Sequence, residues 1–179
     1  FRQDKMTEKI IIAGSGGQGI MLLGKVIAEA AMDEGKFVTW LPAYGAEVRG
    51  GTAHCMLVIS DNEIGSPYVD KADALIIMNN LSYEKFRLRV NKNGRIIVNS
   101  SLVGPVKNKL QIEQFPFTDI AVKLGNVKVA NMVALGSYLK FSKTLQEKSV
   151  LRAIGKMAPA DRKGIIKINE KALQAGRAL

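Results

Sequence analysis

The hydrophobic residues of this chain fall into short continuous runs and into helical stripes, and the two patterns alternate. Runs rich in β-branched residues predict strands at residues 9–13, 37–41, 53–60, 72–78, 95–99 and 109–115. Stripes at helical spacing predict helices at residues 18–34, 82–90, 130–141, 148–157 and 169–175. Gly35 is expected to end the first helix. Asn93-Gly94 predicts a turn before the strand at 95–99.

The alternation of strands and helices predicts the fold class and the domain organisation. Strands separated by helices favour a mainly parallel sheet with helices on both faces. We therefore expect an α/β fold, a Rossmann-like three-layer sandwich, in a single domain spanning residues 7–179. Residues 1–6 are expected to precede this domain as an appended or disordered segment.

A glycine-rich loop follows the first predicted strand. Gly14, Gly16 and Gly19 match the G-x-G-x-x-G pattern between a strand and a helix, and Gly17 and Gln18 complete the loop. Free backbone N–H groups and the helix dipole at such a helix start favour a phosphate or a carboxylate. A tight turn without a ligand is the alternative. A dinucleotide site also requires an acidic residue at the end of the second strand, where this sequence has tryptophan, leucine and proline.

A second glycine-rich loop, from Tyr44 to Gly51, follows the second predicted strand. Glu47 and Arg49 carry long charged side chains beside Gly50 and Gly51, so another molecule can approach the backbone closely. Arg49 offers a planar guanidinium group for a carboxylate or a phosphate. A local salt bridge of Glu47 that shapes the loop is the alternative. In an open α/β sheet both loops fall where ligands bind, at the carboxyl ends of strands.

One histidine and one cysteine limit the chemistry that this chain can supply. His54 and Cys55 are neighbours on a predicted strand, so their side chains point to opposite faces and cannot form a Cys–His pair. A single cysteine excludes a Cys-only metal or iron–sulfur site within the chain. We predict no catalytic residue and no metal ligand. Since no apolar run is long enough to span a membrane, no membrane partner is expected, and the expected location is cytoplasmic.

Positive charge is concentrated in the C-terminal third of the chain. Residues 121–179 hold 12 Lys and Arg against 3 Asp and Glu, which accounts for +9 of the net charge of +10. Such a surface suits nucleic acid, an anionic cofactor or an acidic protein, and a solvated face is the alternative that we favour for most of these lysines. Only Tyr138 and Phe141 are aromatic in this third, so it lacks a stacking platform for single strands. We therefore expect no nucleic-acid partner.

Five stretches of the chain carry motifs that occur together in a known family. They are the two glycine-rich loops, at 14–19 and 44–53, and residues 64–67, 131–136 and 169–176. In this order they resemble the gamma subunit of 2-oxoacid:ferredoxin oxidoreductases, which is equivalent to one domain of single-chain pyruvate:ferredoxin oxidoreductase. The stretch Tyr-Gly-x-Glu-x-Arg-Gly-Gly is quite specific, whereas the first glycine loop alone is not. Residues 40–45 are closer to the 2-oxoglutarate and branched-chain types than to the pyruvate type.

The resemblance implies a subunit that does not act alone. The holoenzyme oxidatively decarboxylates a 2-oxoacid to an acyl-CoA and carbon dioxide, using thiamine diphosphate, iron–sulfur clusters and coenzyme A, and passes electrons to ferredoxin. Thiamine diphosphate and the clusters belong mainly to other subunits, so this chain is expected to hold no cofactor firmly. The expected partners are alpha and beta subunits, with or without a delta subunit, and ferredoxin through the complex. The favoured substrate is 2-oxoglutarate.

The same resemblance indicates the candidate site. It implies that the chain borders the active region and helps to accommodate coenzyme A. The motif residues are Gly14, Gly16, Gly17, Gln18, Gly19, Tyr44, Glu47, Arg49, Gly50 and Gly51. A stand-alone nucleotide- or anion-binding module that uses the first loop is the alternative function.

Overall fold

The structure, a computed structural model, describes residues 6–43, 52–106, 111–158 and 163–179. These residues form one six-stranded sheet in the order β2-β3-β1-β4-β5-β6. The strands are β1 (Thr7–Ser15), β2 (Phe37–Ala43), β3 (Thr52–Ser60), β4 (Ala72–Ile77), β5 (Val90–Asn99) and β6 (Gln111–Phe115). The helices are α1 (Ile20–Asp33), α2 (Asn80–Phe86), α3 (Phe117–Lys123), α4 (Ala130–Leu139), α5 (Glu147–Met157) and α6 (Lys163–Arg177), with a 3-10 turn at Val127–Val129.

The sheet is mostly parallel, as the sequence predicts. β1, β4, β5 and β6 lie side by side in this order and pair in parallel with one another. β3 is antiparallel to both β1 and β2, so it is the one reversed strand among the described residues. The carboxyl ends of β1, β4, β5 and β6 therefore lie along the same edge of the sheet, which we call the carboxyl edge.

Helices cover both faces of the sheet and make the three layers that the alternation predicts. Successive residues of a strand point to opposite faces, and β1 divides accordingly. Ile10 and Ile12 join the core against α1, α4, α5 and α6. Ile11 joins the core of the other face, where Tyr83 and Phe86 of α2 pack.

Gly35 ends α1 as predicted. It adopts a φ of +75°, and its N–H donates to the carbonyl of Met32 at 2.9 Å. The N–H of Lys36 donates to the carbonyl of Ala31 at 3.1 Å. Gly35 therefore satisfies the last carbonyls of the helix in a left-handed conformation that few other residues adopt.

The predicted turn at Asn93-Gly94 is wrong, because both residues lie inside β5. The pairing of β5 with β4 shifts register between Ala72 and Ala74, which absorbs additional residues of β5. A Cβ at Gly94 would lie 2.8 Å from the carbonyl oxygen of Ala72. The glycine therefore permits a close approach between two strands, a role that glycine often has at bulges.

The bounds of two predicted helices also need correction. The helix predicted at 82–90 is α2 at Asn80–Phe86, and its last predicted residue begins β5. The helix predicted at 169–175 is part of the longer α6, Lys163–Arg177. The sequence pattern did not indicate α3, which is seven residues long and too short for a clear helical stripe.

Helices α4 and α6 pack closely against each other where they cross, with one glycine of each helix at the contact. A Cβ at Gly136 of α4 would lie 2.0 Å from the carbonyl oxygen of Leu173, and a Cβ at Gly176 of α6 would lie 1.9 Å from that of Val133. Real Cβ atoms do not approach a backbone so closely, so the crossing requires glycine at both positions. Every residue of α4 is buried, which makes this crossing part of the main core.

Candidate functional site

The first glycine loop joins β1 to α1 at the carboxyl edge. Two of its glycines pack closely against neighbouring side chains. A Cβ at Gly14 would lie 2.6 Å from Cδ1 of Ile20 and 3.0 Å from Cβ of Met78. Gly19 has a φ of +71°, and a Cβ there would lie 2.3 Å from Nδ2 of Asn131. These two glycines let the loop pass between β4 and α4.

Gly16 and Gly17 differ from them, because both are exposed. Gly17 has a φ of +88°, and a Cβ added to it would have no atom within 4 Å. No side chain caps the N-terminus of α1, and its first turn contains no acidic residue. The first N–H groups of a helix lack intrahelical partners and favour an anion. The loop therefore presents bare backbone beside a helix N-terminus.

Gln18 holds the loop in shape. Its Oε1 accepts hydrogen bonds from the backbone N–H of Ser15 at 2.7 Å and from the Ser15 hydroxyl at 3.3 Å. Its Nε2 donates to the carbonyl of Met78 at 3.2 Å, across to the end of β4. The described contacts of Gln18 are thus internal, and they fix the backbone that Gly16 and Gly17 expose.

Asparagine side chains connect the strand ends along the carboxyl edge. Asn79 donates to the Ser15 hydroxyl and caps α2 by accepting from the N–H of Ser82 at 2.9 Å. Asn99, fully buried, donates to the carbonyl of Met78 at 3.2 Å and to the Thr118 hydroxyl at 2.9 Å. These bonds tie the ends of β1, β4 and β5 to one another and to α3.

Asn131 provides the remaining support, since its Nδ2 donates to the carbonyl of Gly19 at 3.2 Å. The sequence motifs pointed to this residue only as part of the stretch 131–136. Asn99 was not indicated at all. The available signal was its position as the last residue of a predicted apolar strand, where side chains meet at the carboxyl edge.

The second glycine loop, with Tyr44, Glu47, Arg49, Gly50 and Gly51, lies outside the described residues. Its two flanking strands are described. β2 ends at Ala43, and β3 begins at Thr52, whose pairing partner is Ser15 at the end of β1. Both ends of the segment are therefore at the carboxyl edge, and the end at Thr52 is beside the first loop.

Cationic and aromatic side chains lie next to that segment. Lys85 of α2 donates to the Thr52 hydroxyl at 3.0 Å. His54 packs on Phe86 with ring centroids 4.7 Å apart. Burial, together with the positive charges of Lys85 and Arg89, lowers the pKa of His54 below its ordinary 6.5. An uncharged histidine and a lysine therefore border this part of the edge.

Cys55 points away from His54, as predicted. It is fully buried in the core on the α1 face, whereas His54 packs against α2 on the opposite face. Burial raises the pKa of the Cys55 thiol to about 12. A thiol in this environment stays protonated, so it provides neither a nucleophile nor a thiolate ligand.

The described residues lack two kinds of feature, a metal-binding cluster and a membrane-spanning helix. No group of three or more His, Cys, Asp or Glu side chains there is arranged to hold a metal ion. None of the described helices combines the length and the apolar character needed to cross a membrane.

Part of the basic C-terminal third is engaged in ion pairs. Lys156 of α5 contacts Asp33 at 2.6 Å and Glu29 at 3.1 Å on α1. Arg177 of α6 contacts Glu147 at 3.3 Å. These pairs are exposed and contribute little stability individually, typically up to about 1 kcal/mol.

Comparison with known proteins gives a consistent result. The family described as pyruvate ferredoxin/flavodoxin oxidoreductase matches residues 9–179. The ketoisovalerate oxidoreductase subunit VorA of Methanothermobacter thermautotrophicus is 38% identical over 169 residues, which are 94% of this chain and 35% of VorA. The chain thus spans about a third of the length of that relative. The 2-oxoglutarate synthase subunit KorC of Archaeoglobus fulgidus is 38% identical over 129 residues, 72% of this chain and 67% of KorC.

A solved structure has the same architecture. It is the gamma subunit of a keto/oxoacid ferredoxin oxidoreductase from Geobacter sulfurreducens, with a TM-score of 0.82 and 28% identity. The match covers 94% of this chain and 95% of that chain. The substrates named for the relatives differ, so the names do not select one 2-oxoacid.

Proposed function

The chain belongs to the pyruvate ferredoxin/flavodoxin oxidoreductase family, and from this we propose that it is the gamma subunit of a 2-oxoacid:ferredoxin oxidoreductase. In this proposal the complex converts a 2-oxoacid and coenzyme A into an acyl-CoA and carbon dioxide. The two electrons released pass to ferredoxin. The chain contributes a binding surface to this reaction, and partner subunits contribute the redox groups.

One observation carries the proposal. The bare backbone of Gly16 and Gly17 lies at the carboxyl edge, where the segment that contains Arg49 also begins and ends. This is where ligands meet open α/β sheets. Family motifs thus converge on one edge of the sheet, and a rigid network of Gln18, Asn79 and Asn131 holds that edge in position.

The residues of this chain fit an anionic group better than a redox cofactor. The buried, protonated Cys55 does not suit an iron–sulfur cluster. The open N-terminus of α1 and the ammonium group of Lys85 suit a phosphate. We therefore assign thiamine diphosphate and the clusters to the alpha and beta subunits, with or without a delta subunit. Gly16, Gly17 and Lys85 would face a phosphate of coenzyme A.

A stand-alone nucleotide-binding module is the second candidate, and the exposed first loop favours it. The strand order argues against its dinucleotide form. Antiparallel β3 separates β2 from β1, so the end of β2 is not beside the first loop. Calorimetry with NAD, ATP and coenzyme A separates the two functions, since firm binding of NAD or ATP would favour the module.

We expect the purified chain to show no 2-oxoacid-dependent dye reduction, because the redox groups come from partner chains. Activity should appear on addition of those chains, obtained by co-purification from the native source. An assay with 2-oxoglutarate, 2-ketoisovalerate and pyruvate then identifies the substrate, and 2-oxoglutarate is expected to be turned over fastest. Activity of the isolated chain would contradict the subunit proposal.

Replacing Arg49 with alanine is expected to impair assembly or turnover of the complex by about tenfold or more, because a guanidinium paired with an anion contributes strongly at an interface. The folded chain itself should unfold at the same temperature as the wild type. The matched control is Arg152→Ala on α5, where an exposed arginine lies 3.9 Å from Asp33. Equal activity of the two variants would exclude a role for Arg49.

A further inference from the structure

A cavity of about 510 Å³ opens at the sheet edge opposite the glycine loops. Ala74 of β4 forms its floor, and its small side chain leaves space between Glu8 of β1 and Arg95 of β5. Tyr138 of α4 and Phe141, two residues after that helix, also line it. A volume of this size is typical of small-molecule sites.

One side of the cavity is acidic. Oε2 of Glu8 accepts hydrogen bonds from the hydroxyls of Ser142, at 3.2 Å, and Thr144. These two hydroxyls use only part of the capacity of the group, since a carboxylate accepts about four hydrogen bonds. Asp73 also lines the cavity, oriented by the N–H of Lys9 at 2.9 Å.

The other side is basic. The guanidinium carbon of Arg95 lies 4.0 Å from the ring centroid of Phe141. One terminal nitrogen of Arg95 pairs with Glu113, which leaves donors of the planar group for a ligand. Lys143 lines the same cavity and forms no ion pair with the described residues.

A buried hydroxyl adds to the cavity wall. Tyr138 is 1% exposed, and its hydroxyl lies near Glu8, Ser142 and Thr144 without reaching hydrogen-bonding geometry with a described residue. A buried polar group without a partner is costly. A ligand or an ordered water in the cavity would satisfy it.

We propose that this cavity binds a small zwitterion of the α-amino acid class. Its ammonium group would donate to Glu8, and its carboxylate would accept from Arg95 or Lys143. β1 and β5 are two strands apart, about 10 Å, and the Glu8 and Arg95 side chains both line the cavity. An apolar amino acid side chain would pack on Ile97 and Phe141, which line the cavity. This site is separate from the carboxyl edge and does not depend on the proposed function.

The ionisation of Glu8 leads to a separate prediction about how the stability of the chain depends on pH. Burial, with the nearby charge of Asp73, raises the pKa of Glu8 above 4.5 in the folded chain. The folded state thus holds this proton more tightly than the unfolded state does. The resulting stabilisation is full at acidic pH and is lost as the pH rises through the folded pKa.

Glutamine at position 8 keeps acceptors for Ser142 and Thr144 and has no charge to bury. The unfolding temperature of Glu8→Gln, relative to the wild type, is therefore expected to rise between about pH 4 and pH 7. Thermal unfolding across this range measures the difference. A difference that does not change with pH would show that Glu8 keeps an ordinary pKa.

Calorimetric titration of the 179-residue chain with L-leucine tests the proposed site. Two analogues serve as probes, 4-methylpentanoate, which lacks the ammonium group, and 3-methylbutylamine, which lacks the carboxylate. We expect L-leucine to bind at least about tenfold more tightly than either analogue, because each loses one charged contact. Absence of saturable L-leucine binding up to about 10 mM, or equal binding of the three probes, would overturn the proposal.

Two variants test whether L-leucine binds in this cavity. Glu8→Gln is expected to weaken L-leucine binding by about tenfold or more, and the exposed Lys143→Gln by a smaller factor. The matched control is Lys148→Gln, an exposed lysine on α5 that is not part of the cavity lining. Binding that is unchanged in both Glu8→Gln and Lys143→Gln would also overturn the proposal, even with L-leucine bound elsewhere.

Discussion

Gly176→Ala is expected to lower the free energy of unfolding by about 3 kcal/mol or more. Overpacking a core usually costs about 1–3 kcal/mol, and here the added methyl group meets backbone, not a flexible side chain. Its Cβ would lie 1.9 Å from the carbonyl oxygen of Val133. No rotamer change relieves that contact, so α6 must move away from the buried helix α4.

Gly136→Ala is expected to have a similar effect, because its Cβ would lie 2.0 Å from the carbonyl oxygen of Leu173. The two glycines lie on opposite sides of one crossing, so a single separation of the helices relieves both contacts. The double variant should therefore cost clearly less than the sum of the two single variants, as coupled neighbours do.

Urea denaturation measures these differences, and α5 offers a matched control. Gly155 is also helical, but a Cβ there would have nothing within 4 Å. Gly155→Ala should therefore stabilise the chain by about 0.5–1 kcal/mol, since alanine is the better helix former. If Gly176→Ala were as stable as Gly155→Ala, the close crossing of α4 and α6 would be wrong.

Gly17→Ala is expected to reduce 2-oxoacid-dependent ferredoxin reduction by the assembled complex by about tenfold or more, since small displacements at a reacting site have large effects. In the isolated chain the added methyl group meets nothing within 4 Å. The variant should therefore fold, with a loss of about 1–2 kcal/mol from its left-handed backbone. The added methyl group would mainly obstruct the molecule that approaches the loop.

Gly35→Ala is the control for backbone strain. Gly35 has a φ of +75°, close to the +88° of Gly17, and it also has no atom within 4 Å of an added Cβ. It lies at the other end of α1, away from the carboxyl edge. The two variants should lose similar stability, and only Gly17→Ala should lose activity. Equal activities would mean that the first loop is only a turn.

Much of the fold could be predicted from the sequence, because local patterns determine it. Buried parallel strands appear in the sequence as apolar runs, and α1 appears as an amphipathic stripe that ends at Gly35. The reversed direction of β3 was not predicted, since strand direction depends on connections that a periodicity does not encode. The turn predicted at Gly94 was wrong for a similar reason. The glycine is needed because the carbonyl of Ala72 lies close to it, and Ala72 is distant in sequence.

The candidate site was predicted in part. The G-x-G-x-x-G pattern located the loop, but it did not distinguish the closely packed glycines from the exposed ones. The structure separates Gly14 and Gly19, which pack against neighbouring side chains, from Gly16 and Gly17, which are exposed. The support from Asn131 is a contact across 112 residues of sequence, and no local pattern could indicate it. The roles of Tyr44, Glu47, Arg49, Gly50 and Gly51 stay predictions.

The central claim is that both glycine loops contact another molecule at the carboxyl edge. Hydrogen–deuterium exchange of residues 14–22 and 44–52, compared between the isolated chain and the complex with its partner chains, tests it most directly. We predict slower exchange in the complex for both segments, because their backbone N–H groups become covered. Equal exchange rates in the isolated and assembled chain would contradict the claim.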